Sequence, residues 1–117
     1  MIIAGIGCRR SVTAEAIYVL VRRAEAMVSS IDLLAAPYFR RDEPAIYRAA
    51  EMLITRLVFV EEEALRAAQP FCVTRGTAVE RATGFASIAE GVAIGAGGRL
   101  VMPRIAGAFV TVALAER

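Results

Sequence analysis

Three short apolar runs, at residues 2–7, 33–39 and 57–60, each give way within a few positions to a stretch that opens like a helix. An apolar run of four to eight residues bounded by turn signals reads as a strand buried on both faces. Strands alternating with helices in this order form parallel pairs joined by right-handed crossovers, with helices covering both faces of the sheet.

The connecting segments carry helix signals. Thr13 is a natural N-cap, with Glu15 in the first turn. Ile17, Val21, Ala24 and Val28 share one helical face, with Leu20, Met27 and Ile31 beside them and Arg22, Arg23 and Glu25 outside. Asp42, ahead of Glu43 and Pro44, predicts a capped helix to about residue 55 with Ile46, Ala49, Ala50 and Leu53 inward. Glu61-Glu62-Glu63 opens a further short helix. Beyond Pro70 an irregular stretch leads to a helix over 77–82 that Gly84 stops. Ser87-Ile88-Ala89-Glu90 is a capping-box pattern for a helix ending at Gly97-Gly98. Residues 99–105 and 109–114 then form a hairpin. The expected architecture is one three-layer α/β/α domain over residues 1–117. Its sheet is mixed and mostly parallel, with an antiparallel hairpin at the C-terminal end.

A chain of 117 residues with 57% apolar content can bury such a core without staples. Missing residue types narrow the chemistry. With no His, neither a Ser–His nor a Cys–His pair can form, nor any His-containing zinc site. All 14 basic residues are Arg, which removes lysine Schiff-base chemistry and leaves forks suited to carboxylates or phosphates. Two cysteines, Cys8 and Cys72, cannot complete a four-thiolate site and are expected to be free thiols. No metal or cofactor is expected. A net charge of +2 argues against nucleic acid as a partner. No apolar stretch is long enough to span a bilayer, and the apolar run before Cys8 is too short for an export signal. No membrane partner and a cytoplasmic location are expected.

In an open α/β sheet ligands bind beyond the C-terminal ends of the parallel strands. Those ends carry Gly5, Gly7, Cys8, Arg9 and Arg10 after the first run, Arg40, Arg41, Asp42 and Glu43 after the second, and Glu61 after the third. The segment with Thr74, Arg75, Gly76 and Thr77, and Arg104 of the hairpin, are expected nearby. Glycines admit a ligand to the backbone and arginines supply charge, so a polyanion fits; the plainer reading is solvated loop charge. Gly5-x-Gly7 lacks the third glycine of a dinucleotide fingerprint, and no Gly-Lys-Ser/Thr follows it. Cys8, beside two arginines at a helix start, reads either as a reactive thiol of lowered pKa or as a small packing residue. Glu43, Glu80 and Cys8 are the catalytic candidates. Glu90 is a further possible acid or base with a capping duty, and no carboxylate pair identifies itself as catalytic.

Several segments resemble one known family. Gly5-Ile6-Gly7-Cys8-Arg9-Arg10 followed by Thr13-Ala14-Glu15, Asp42-Glu43-Pro44, Thr77-Ala78-Val79-Glu80 with Gly84, Ser87-Ile88-Ala89-Glu90 and Thr111-Val112-Ala113 are similar, in order, to motifs of the CobE/CbiG C-terminal family. The resemblance implies a role in building the corrin ring of cobalamin, with a precorrin intermediate as ligand and other corrin-pathway enzymes as partners. Long CbiG proteins open the δ-lactone of a cobalt-precorrin and release acetaldehyde, whereas the stand-alone CobE form belongs to the aerobic route. Arg40 and Arg104 stand where the family usually has Lys, which keeps the charge but removes a titratable amine.

Overall fold

The first strand, β1 (Ile2–Cys8), has six buried residues before Cys8, as expected of a strand covered on both faces. In this computed structural model the backbone is described throughout residues 1–117, and every side chain except that of Val79. Val79, a member of one quoted motif, has its side chain outside the described residues. The chain continues through α1 (Ala14–Met27), β2 (Leu33–Pro37), α2 (Pro44–Leu53), β3 (Arg56–Val60) and α3 (Glu62–Ala68). It ends with α4 (Thr77–Thr83), α5 (Ile88–Gly95), β4 (Arg99–Ala106) and β5 (Val110–Glu116).

The sheet has five strands in the order β3-β2-β1-β5-β4. β1, β2 and β3 run parallel, while β5 lies antiparallel to both β1 and β4. The predicted α/β/α domain is therefore present, with its antiparallel hairpin joined to the parallel strands through β5 at one end of the sheet. One core cluster packs Ile17, Val21, Ile46 and Leu53 of α1 and α2 on Ile6, Leu34 and Leu114. The other packs Leu65 of α3 and Ile88 and Val92 of α5 on Ile3 and Leu33. Each such buried Leu or Ile contributes about 1.5–3 kcal/mol relative to exposure.

Local signals held at helix starts and ends alike. Thr13 Oγ1 accepts the Ala16 N–H at 3.0 Å, and Gly84 ends α4 at φ +80°. Others gave way to tertiary structure. β2 stops at Pro37, and residues 38–40 wind into a 3-10 turn instead of extending the strand. α1 stops at Met27, leaving Met27 and Val28 exposed rather than inward. Asp42 does not cap α2: Glu43 holds the cap position without a side-chain bond, and Asp42 pairs with Arg10 at 3.3 Å. The capping box is half made. Ser87 Oγ accepts the Glu90 N–H at 3.3 Å, but the Ser87 N–H goes to Gln69 Oε1 at 3.2 Å, leaving the Glu90 carboxylate free for other donors.

An arginine-rimmed cleft at the strand ends

Strand direction explains why chemistry gathers at one place. β5 runs opposite to β1, pairing Cys8 with Val110 and Gly7 with Thr111. The tip of the β4–β5 hairpin therefore overhangs the C-terminal end of β1, the end at which a parallel sheet receives ligands. The Arg9 N–H donates to the Phe109 carbonyl at 3.0 Å and ties tip to strand. A cleft of about 670 Å³ opens between this tip, the 3-10 turn after β2, and α4.

Its walls are mainly apolar. Phe39 comes from the 3-10 turn, Ala78 and Ala82 from α4, Ile88 from the start of α5, and Ala108 and Phe109 from the hairpin. Three guanidinium-bearing residues, Arg9, Arg40 and Arg104, line it as well. Arg40 Nε donates to the Cys8 carbonyl at 2.9 Å, and its guanidinium lies 5.1 Å from the Phe39 ring centre. Arg9 lies 5.8 Å from the Phe109 ring centre. Among the described residues, the ion pairs are Arg10–Asp42, Arg22–Glu25, Arg41–Glu61 and Arg66–Glu62. The three cleft arginines thus face it without a carboxylate partner.

Arg104 owes its position to a buried acid. Glu90, with no exposed surface, accepts the Arg104 N–H at 3.0 Å, the Val73 and Thr74 N–H groups at 2.8 and 2.9 Å, and the Thr74 hydroxyl at 2.6 Å. Burial alone would push its pKa up, but the hydrogen bonds from Thr74, Arg104 and Val73 hold it below the ordinary value. An edge strand interrupted by Pro103 and by register shifts on either side of Met102 is anchored in this way to α5.

The cleft unites Gly7, Cys8, Arg9, Arg40 and Arg104 of the residues singled out in the sequence. The rest lie elsewhere. Gly5 faces α5, where an added Cβ would collide with the Ala89 carbonyl and the Ala93 nitrogen, so this glycine serves helix-on-sheet contact. Arg10 and Asp42 bind each other on the exposed surface. Arg41 pairs with Glu61 and lies over Phe59. Arg75, Thr77 and Glu80 line a separate shallow depression with Arg81. Glu43 is half-buried at the start of α2 and close enough to raise the Cys8 pKa.

The surroundings of Cys8 favour the packing reading over the reactive one. Burial, opposed by the Arg40 charge and reinforced by Glu43, raises its pKa from 9.0 to about 11. Cys72 is likewise raised to about 11, by burial and by the Glu90 charge against the opposing Arg75 charge. Phe39, Ile88, Phe109 and Thr111 line the cleft without having been expected there as site residues, although Ile88 and Thr111 belong to quoted motifs. The one available signal was Gly107-Ala108-Phe109 between two strands, an aromatic residue at a hairpin tip.

Fold and cleft together define a class: an α/β/α domain whose strand-end cleft combines apolar walls with unpaired guanidinium groups. Residues 2–115 match the family described as the cobalamin synthesis G C-terminus, and the chain belongs to that family. It is 33% identical to Protein CobE of Sinorhizobium sp over 121 aligned positions, covering 97% of this chain and 79% of that protein. The crystal structure of CobE, a protein from the cobalamin (vitamin B12) biosynthetic pathway, superposes with a TM-score of 0.90 at 30% identity, covering 100% of this chain and 90% of that one. The cobalamin biosynthesis protein chiG from Agrobacterium tumefaciens str. C58 superposes with a TM-score of 0.78 at 33% identity, covering 99% and 98%. The motifs quoted from the sequence thus belong to a CobE/CbiG-type cobalamin biosynthesis protein.

Proposed function

We propose that the cleft binds a precorrin-type tetrapyrrole, holding the ring against its apolar walls and the peripheral carboxylates against Arg9, Arg40 and Arg104. The observation that carries this reading is the set of three unpaired arginines lining an otherwise mostly apolar cleft. Acetate and propionate side chains around a largely apolar macrocycle present the complementary pattern, and a guanidinium takes each carboxylate through two parallel bonds. A cleft of about 670 Å³ lies within the usual range of small-molecule sites and suits a ring face or edge.

Among the described residues no carboxylate lines the cleft, so the chain's own groups favour binding and hand-over over hydrolysis. The protein works on this reading in the cytoplasm, as a carrier of an intermediate between corrin-pathway enzymes. No helix is long and apolar enough to cross a membrane among the described residues.

Titration of the protein with hydrogenobyrinate, followed by visible absorption, tests the reading. Saturable binding at one ligand per chain is expected. The absence of any spectral change at high protein concentration refutes it. Acetaldehyde released from a lactone-bearing cobalt-precorrin would replace the carrier reading with a hydrolytic one.

A further inference from the structure

Phe109 is held at φ +65°, in the left-handed region that bulky side chains avoid. In a hairpin loop of this kind that position ordinarily falls to glycine or asparagine. Gly107 lies two residues away, yet the positive φ falls on the phenylalanine. The conformation is fixed from both sides, by the Arg9 N–H on the Phe109 carbonyl at 3.0 Å and by the Gly107 N–H on the Val110 carbonyl at 2.8 Å.

Packing does not repay this strain. The Phe109 side chain is 54% exposed and lines the cleft, with the Arg9 guanidinium 5.8 Å from its ring centre. An exposed aromatic ring held in an unfavourable conformation gains little within the folded chain beyond this one contact with the Arg9 guanidinium. Ile54 shares a positive φ and is more exposed, but it lies away from the cleft; what sets Phe109 apart is that its ring lines the cleft, where a ligand can cover it.

We propose that Phe109 is the specificity-determining stacking surface of the cleft, selecting ligands with a flat conjugated face while Arg9 beside it takes a carboxylate from the edge of the same ring. The proposal rests on the reading of the cleft as a tetrapyrrole site and adds the feature that separates such a ligand from other polycarboxylates.

Hydrogenobyrinate titrations of the wild type, Phe109→Leu, Phe109→Tyr and Phe109→Gly test it, each paired with a thermal melt. Leu keeps apolar bulk and strain but removes the ring, so affinity should fall about tenfold, the scale of one stacking contact. Tyr should retain wild-type affinity. Gly, which suits a positive φ, should lose affinity like Leu while melting no lower than the wild type. Wild-type affinity in Phe109→Leu overturns the stacking proposal and leaves the cleft reading standing. A lowered melting point in Phe109→Gly alongside its weaker binding overturns it in favour of a structural role. Failure of the wild type itself to bind removes the cleft reading and the proposal together.

Discussion

The Glu90 carboxylate accepts the backbone N–H of Arg104 at 3.0 Å, so a fully buried acid on α5 sets the strand position of an arginine in the cleft. The same carboxylate holds Val73 and Thr74. The segment before α4 and the edge strand β4 are thereby joined through one side chain.

Glu90→Gln keeps the shape but replaces one acceptor oxygen with a donor amide facing other donors. A loss of about 3 kcal/mol of stability is expected, the scale of bonds to a buried charge. Urea unfolding measures it, and an unchanged midpoint would contradict the anchoring role.

The Glu90 pKa is lowered by folding from its ordinary 4.5. The folded state then binds fewer protons than the unfolded state in this range. Its stabilising effect is complete above the ordinary value and is lost as pH falls through the lowered one. Melting temperature should therefore drop on acidification below about pH 4.5, and drop less steeply in Glu90→Gln. Parallel curves for the two proteins would assign the acid sensitivity to other groups.

Gly5→Ala puts a methyl group into the Ala89 carbonyl and the Ala93 backbone nitrogen. Backbone atoms cannot rotate aside, so α5 must shift from the sheet at a cost of about 1–3 kcal/mol. A thermal melt of the variant reads this directly, and wild-type stability would show that the helix has room to spare.

Cys8, with its pKa at about 11 rather than 9.0, carries about a hundredfold less thiolate near neutral pH than an ordinary thiol. Iodoacetamide labelling resolved by peptide should be correspondingly slow at Cys8 and accelerate only in strong alkali. Rapid labelling at pH 7 would restore the reactive-thiol reading.

Arginines that looked alike in the sequence should separate in binding. Arg9→Ala and Arg104→Ala should each weaken hydrogenobyrinate binding roughly ten- to a hundredfold, as expected for loss of about 1.5–3 kcal/mol of charge-assisted bonding. Arg10→Ala and Arg41→Ala, whose partners are Asp42 and Glu61 on the surface, should leave affinity unchanged. Equal losses across all four would mean that overall charge, not the cleft, attracts the ligand.

The layered fold was legible because local signals and burial agree along β1, α2 and most of α1, whereas β3, at the edge of the sheet, is only half-buried. The strand-end rule likewise put Gly7, Cys8, Arg9 and Arg40 at the right end of the sheet. Sequence could not tell a glycine that admits a ligand from one that admits a helix, and Gly5 is the second kind. Nor could it foresee which arginines find acidic partners, since Asp42 and Glu61 lie 32 and 20 residues from Arg10 and Arg41. Glu90 fits a capping pattern, but its four donors come from segments 14–17 residues away. Phe109 was hidden because its strain belongs to the hairpin's closure, not to its neighbours in the chain.

Whether ligand and cleft coincide is most directly measured by amide NMR of the ¹⁵N-labelled protein during hydrogenobyrinate titration. Shifts concentrated at Gly7, Cys8, Arg9, Phe39, Arg40, Arg104 and Phe109, with Tyr47, Ile54 and Leu57 at the far edge undisturbed, are the predicted result. Shifts centred on Arg75 and Arg81, or scattered over both faces of the sheet, would contradict it.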